Sequence, residues 1–239
     1  MNGASPSEFE TKREFQDLAY MIVHHLKEPT RAIRTAAEVL LEPEPRADHE
    51  IESDAPSAAA SCVDRILRGA ARLDDITASI AQYADDLGNE DEPLEDTKAE
   101  VILRSVRQKL QRLIEQTQAT VTNGELPRLT CQPTRFSRLL EQLLRNAILY
   151  HREQAPAVHI SAEEQGDAWL FSMRDNGMGM APSDLERVFD PFSRLSGKGY
   201  KGLGMGLTTA GRIVSHHGGR IWIESAVDVG STVFFTMPK

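Results

Sequence analysis

The chain has 239 residues, 40% of them hydrophobic and 26% charged, with a formal net charge of −9. That length allows one large or two small domains, each able to bury a core, and an acidic chain with no concentrated basic stripe is not expected to bind nucleic acid. Its two cysteines, Cys62 and Cys131, form no CxxC or Cys/His cluster, which argues against a disulfide framework or zinc site and fits a reducing, cytoplasmic setting.

Residues 7–42 carry helical periodicity, with Phe15, Leu18, Ile22, Leu26, Ile33, Ala37 and Leu40 on one face. The acidic, Pro-rich stretch EPEPRADHEIESDAP (42–56) reads as a loop. A second periodic run follows through Val63, Ile66, Leu67, Ala70, Leu73, Ile76, Ile80 and Leu87. Two long helices with one apolar stripe each predict an antiparallel hairpin. A lone hairpin would leave much of its stripe wet, so pairing with a second copy into a homodimeric four-helix bundle is expected. The polar linker GNEDEPLED (88–96) marks a boundary, dividing the chain into a hairpin domain (1–90) and a second domain (91–239). There the pattern predicts a helix over 98–118, a strand near 119–122, a helix over 133–150 and strands over 157–163 and 168–175. A helix over 204–217 and closing strands over 220–225 and 231–237 complete it. Helices on one face of a largely antiparallel sheet are the economical arrangement. The expected fold is therefore α+β and multidomain: a helical hairpin, then a two-layer α/β sandwich. No apolar run reaches the ~20 residues of a membrane span and no signal-peptide pattern opens the chain, so no direct membrane insertion is expected.

Two glycine motifs carry the chemistry. RDNGMGM (174–180) follows a predicted strand and GLGMGL (202–207) opens a predicted helix. Alternating glycines let backbone amides approach a phosphate, and a helix N-terminus favours an anion. Neither the G-x-G-x-x-G dinucleotide fingerprint nor P-loop spacing is matched, and each motif taken singly reads as a turn. Their order is more specific. Asn146 in LLRNAILY precedes RDNGMGM, then come VFDPFSRL (188–195), GLGMGL and IVSHHGGRIWIES (213–225). These five ordered matches resemble the N, G1, F and G2 boxes of the ATP-binding domain of sensor histidine kinases, a domain shared more loosely with the GHKL ATPases. The resemblance implies that Asn146 ligates Mg²⁺ bridging the ATP phosphates and that Asp175 accepts a hydrogen bond from the adenine amino group. It also implies that Gly177 and Gly179 make room for the base and that Tyr150 packs on it. Phe189, Phe192 and Arg194 would anchor a lid, SGKGYK (196–201), from which Lys198 or Lys201 could reach a phosphate. Gly202, Gly204 and Gly206, with Leu207 closing the motif, would wrap the phosphates. The chemistry agrees: an amide oxygen suits a hard cation, and a carboxylate suits an N–H donor. One position departs from the family, which usually has Lys or Arg three residues after the Asn, as in NAIKY. Here it is Leu149.

The first helix contains MIVHHLKEP (21–29), and LAYMIVHHLKEPTRAI (18–33) resembles the H-box of phytochrome-type histidine kinases. The resemblance places the phosphoacceptor at His24. Helical geometry agrees independently: at about 100° per residue His24 falls nearly opposite the apolar stripe, and His25 lies roughly 80° from the stripe's centre. Glu28 is one turn beyond His24 on the same face, and Pro29 lacks an N–H, so a bend past the site is expected. Most of the family has Asp or Glu where His25 stands. An imidazole with an ordinary pKa near ~6.5 can take a proton but supplies no negative charge, and Glu28 could substitute. The pair His216 and His217 reads as surface residues before a helix-ending glycine.

The resemblance thus implies ATP-dependent autophosphorylation of His24 and phosphoryl transfer to an aspartate of a response-regulator receiver domain. Sensory input would come from a separate domain or protein. His25 and Leu149 support an alternative: a degenerate kinase acting as a nucleotide-binding scaffold, dimerisation partner or phosphotransfer intermediate.

Overall fold

The computed structural model describes residues 6–41, 58–88, 92–191, 193 and 204–239. Its contacts separate the chain into two units, Met1–Gln82 and Tyr83–Lys239.

The first unit is a helical hairpin of α1 (Pro6–Leu41) and α2 (Ala58–Gly88); the expected loop between them lies outside the described residues. Pro29 sits inside α1, where it removes the amide hydrogen that would bond the His25 carbonyl within the helix. One residue on, the Thr30 hydroxyl donates to the Leu26 carbonyl at 2.6 Å. The seam is narrower than the sequence stripe. Pro29 and Ala36 on α1 and Cys62, Gly69 and Ile76 on α2 are buried, the α2 positions recurring every seven residues as a two-helix seam requires. Gly69 packs directly on the Ile33 side chain. Val63 and Leu67, expected on the same face, are instead 47% and 63% exposed. With Val39 and Leu40, they leave apolar surface outside the hairpin's own contact.

The second unit is a two-layer sandwich. Its five-stranded sheet has the order β2 (Thr120–Asn123), β4 (Ala157–Gln165), β5 (Ala168–Asp175), β7 (Gly230–Pro238), β6 (Ile221–Ala226). Only the β2–β4 pair is parallel; the other three are antiparallel. Alternation sets the faces. Val158, Ile160, Phe171, Met173, Val233, Phe235 and Met237 point into the core, while His159, Glu163, Arg174 and Glu224 are exposed on the other side. Three helices cover the inner face: α3 (Ala99–Lys109), α5 (Pro133–Leu149) and α7 (Gly206–His216). Phe136 of α5 anchors them, edge-on to Phe171 at 5.7 Å between ring centroids, and Phe171 stacks on Phe235 at 4.9 Å.

The structure corrects the expected helix over 98–118. It is two helices, α3 and α4 (Gln111–Thr117), parted at Leu110, whose φ of −91° and ψ of 5° leave helical geometry. The break lets buried Leu110 and half-buried Leu113 and Ile114 reach the same core. Two short strands, β1 (Glu95–Lys98) and β3 (Arg128–Cys131), form a separate antiparallel pair. Arg128 clasps Asp96 across it through Nε at 3.1 Å from both carboxylate oxygens, and that hydrogen bond holds the Asp96 pKa below its ordinary value. A four-residue helix, α6 (Pro182–Leu185), follows β5.

Candidate functional site

The candidates collect where α5, β5 and α7 end. Asp175 is the last residue of β5, between β4 and β7. Its Oδ1 accepts two backbone amides, from Gly177 at 2.8 Å and Ser231 at 3.1 Å. Both bonds fall on one oxygen, and among the described residues no donor bonds Oδ2. Burial pushes the Asp175 pKa up, opposed by the two amide hydrogen bonds.

The turn after Asp175 is fixed from both sides. Asn176 Oδ1 accepts the Ala157 amide at 2.7 Å and its Nδ2 donates to the Ala155 carbonyl at 3.1 Å. The Met178 amide donates to the Tyr150 carbonyl at 3.0 Å, tying the turn to the end of α5, and the Asp228 amide donates to the Met178 carbonyl at 2.9 Å. Gly179 has φ +63°, and a Cβ there would lie 1.9 Å from the Ala226 carbonyl oxygen. Both the left-handed backbone and the close approach demand glycine. The floor of the site is thus rigid backbone.

Asn146, half-buried near the end of α5, faces the start of α7: a Cβ on Gly206 would lie 3.4 Å from Asn146 Nδ2 and 3.6 Å from its Oδ1. Among the described residues no side chain caps the α7 N-terminus, and its first turn has no acidic residue. Its first amides lack intrahelical acceptors and its helix dipole favours an anion. Gly204 precedes it with φ +75°, and half-buried Leu207 packs against the core. Tyr150 caps α5, its amide donating to the Asn146 carbonyl at 3.1 Å, and Leu149 is half-buried beside it. Phe189 is half-buried, with Cδ1 near Gly211 of α7. Asn146, Tyr150, Asp175, Gly177, Gly179, Gly204, Gly206 and Leu207 are therefore all on these three converging ends. Phe192, Arg194, Lys198, Lys201 and Gly202 lie outside the described residues. Sequence reasoning missed Ser231, whose amide closes on Asp175, and Gln142, whose Oε1 lies 2.9 Å from the Gly206 Cβ position. Neither carries a motif signal, because one acts through its backbone and the other through proximity of two helices.

The residues fit a nucleoside triphosphate. A carboxylate oxygen remains for a base amino group, and the uncapped helix N-terminus with the Asn146 amide remains for phosphates. No group of three or more His, Cys, Asp or Glu able to hold a metal occurs among the described residues. Asn146 is the side chain that would hold a divalent cation here, and such a cation would supply neutralisation of phosphate charge.

In the hairpin His24 is exposed and His25 half-buried. Their rings meet edge to face, 5.8 Å between centroids and 83° between planes. Glu28 is exposed and pairs with Arg72 of α2, 3.8 Å from Oε2 to Nη2. His217 departs from its expected surface position. It is half-buried, its Nδ1 bonded to the Ile213 carbonyl at 2.8 Å and its Nε2 to the Gln132 amide at 3.1 Å. No helix among the described residues is long and apolar enough to cross a membrane.

Comparison with known proteins agrees with this arrangement. Residues 131–239 match the family described as histidine kinase-, DNA gyrase B- and HSP90-like ATPase. Cyanobacterial phytochrome A of Nostoc sp. (strain PCC 7120) is 33% identical over 226 residues, 94% of this chain and 28% of that protein. The chain thus spans less than a third of that relative. Among solved structures, histidine kinase ThkA in complex with response regulator protein TrrA covers 100% of this chain and 68% of that one, with a TM-score of 0.65 and 20% identity. Full-length ShkA in complex with AMPPNP covers 93% of this chain and 45% of that one, with a TM-score of 0.60 and 19% identity. At these identities the likeness to the solved structures is one of fold. The ordered motifs, the sheet that carries them and the match running through the hairpin converge: this chain belongs to the sensor histidine kinases, as their catalytic core.

Proposed function

We propose that this chain transfers the γ-phosphoryl group of ATP to an imidazole nitrogen of His24, and then to an aspartate of a response-regulator receiver domain. The observation that carries this reading is the Asp175 carboxylate, held through one oxygen on a turn tied to the end of α5, with Asn146 of that helix facing the N-terminus of α7, in a chain that also presents an exposed His24. Residues 1–90 act as the dimerising phosphoacceptor hairpin and residues 91–239 as the ATP-binding domain, in the cytoplasm. The apolar surface at Val63, Leu67, Val39 and Leu40 supports dimerisation, because it is what a second hairpin would cover. Input comes from a separate sensory domain or protein.

In the site, Asp175 accepts the adenine amino N–H and the Tyr150 ring packs on the base. Gly177 and Gly179 let the turn lie tight against Tyr150 and Ala226 so that the base has room above it, and the amides after Gly204 and Gly206, with Leu207 closing the turn, cradle the phosphates. Mg²⁺ held by Asn146 would neutralise phosphate charge. The His24 nitrogen attacks the γ-phosphorus; the new N–P bond forms as the P–O bond to ADP breaks. The imidazole proton passes to His25 or Glu28, which flank it on α1. Such a transfer depends on positioning and charge neutralisation more than on covalent chemistry by the protein.

A second reading rests on two residues: His25 stands where an acid is expected, and Leu149 where a cation is. It makes the chain a nucleotide-binding scaffold with little autokinase activity. Incubation with Mg²⁺ and ATP labelled at the γ or α position separates the two. The kinase reading expects label from γ-labelled ATP only, chased off by a receiver domain. Tight ATP binding with no label from either position favours the scaffold.

A further inference from the structure

Helix α5 begins with Pro133, so its first turn offers amides without intrahelical acceptors. Two of them are taken by distant residues. The Thr134 amide donates to Glu92 Oε1 at 2.9 Å, and the Gln132 amide donates to His217 Nε2 at 3.1 Å. Gln132, only 3% exposed, also donates through its side-chain Nε2 to the Glu92 carbonyl at 2.6 Å. His217 is the C-cap of α7. Its Nδ1 faces the Ile213 carbonyl, which only accepts, and its Nε2 faces an amide, which only donates. The ring is therefore neutral with the hydrogen on Nδ1. Its surroundings agree: burial lowers the His217 pKa, His216 and Arg135 add to that, and the Ile213 carbonyl and Glu92 oppose it.

The placement gives this chain of bonds its consequence. Helices α5 and α7 pack side by side in opposite directions. One pair of ends brings Asn146 to Gly206 at the candidate nucleotide site. The other pair is joined by His217 and Gln132, to which Glu92 is fastened. Glu92 lies in the segment through which the backbone enters the domain, just before β1. We propose that Glu92, Gln132 and His217 form a latch through which this entering segment sets the alignment of α5 and α7, so that its docking and nucleotide binding are coupled. This rests on the ATP-binding reading of the site. With Gly206 already in close contact with Gln142 and Asn146, a slip of α5 along α7 by a fraction of an ångström misplaces the phosphate cradle. The latch is not held at full strength: among the described residues the buried Glu92 Oε2 has no hydrogen-bond partner, so docking keeps a carboxylate oxygen dehydrated and its gain is partly offset. Coupling is reciprocal, so bound nucleotide tightens the latch as the latch tightens nucleotide.

The test is calorimetric titration of the full chain with ATP and Mg²⁺, for wild type, Glu92→Ala, His217→Ala, the double variant and Glu92→Gln, with amide exchange at Glu92, Leu94 and Thr134. Each alanine variant is expected to weaken ATP about tenfold, a typical coupling size, and the double variant no further. Glu92→Gln, whose amide oxygen still accepts from Thr134, should bind nearly as wild type. ATP should slow exchange at these amides in wild type and not in His217→Ala. Alanine variants that melt earlier yet bind ATP as wild type make the cluster a set of structural caps and overturn the latch alone. Losses that simply add in the double variant do the same. A wild type that binds no ATP overturns the functional reading and the latch with it.

Discussion

Asp175→Asn should lower ATP affinity about a hundredfold while leaving the fold intact. The Asp175 carboxylate already spends Oδ1 on the Gly177 and Ser231 amides. An asparagine must keep its only oxygen there, which turns its NH₂ to where Oδ2 was. A donor would then face the adenine amino donor. The lost charge-assisted hydrogen bond is worth about 1.5–3 kcal/mol, and each ~1.4 kcal/mol is a factor of ten. Stability should change little, because removing a charge whose pKa burial has raised offsets the weaker acceptor. Calorimetric titration and a thermal melt check both halves. Unchanged affinity would remove Asp175 from the base pocket; a collapsed melt would make it structural.

The second large effect is a gain. His25→Asp should raise the initial rate of self-labelling by about 10- to 100-fold at saturating ATP, within the range for a well-placed general base. His25 is half-buried with its ring edge-on to His24, close enough to orient it. A neutral imidazole cannot stabilise the charge that develops on His24 at attack, and a carboxylate can. Glu28 carries the right charge but shares it with Arg72. Initial rates of His25→Asp and Glu28→Gln assign the role. An unchanged rate in the first with a large loss in the second makes Glu28 the base and His25 a bystander.

Long-period patterns were the legible part of the fold. The hairpin helices and the α5 and α7 stripes repeat over many residues, and the longer strands are apolar-rich runs of six residues or more, so β4, β5, β6 and β7 lie close to the expected ranges. Among the short elements β2 was legible, lying at Thr120–Asn123 where a strand near 119–122 is expected, but β1 and β3 were not. EDTK and RLTC each make a four-residue strand, too brief for alternation to stand out, and they pair across 32 residues through Asp96 and Arg128. The break at Leu110 has no glycine or proline to announce it; demand from the core places it. The same division runs through the site. Asn146, Asp175 and the glycines sit in motifs whose residue types the chemistry requires. The Ser231 amide, the Gln142 side chain and the His217 bridge act through tertiary approach, and His217 meets Gln132 from 85 residues away. Within the hairpin, periodicity found the apolar stripes but not which part each helix turns to its neighbour. The narrow seam at Cys62, Gly69 and Ile76 is a packing result that leaves Val63 and Leu67 outside.

The central claim is that phosphate from ATP reaches His24, and label mapping on wild type and His24→Ala tests it most directly. After incubation with γ-labelled ATP and Mg²⁺, wild type should carry acid-labile, alkali-stable label on a peptide containing His24. His24→Ala should bind ATP normally and carry none. Label that persists in His24→Ala, or maps to any other residue, would contradict the account.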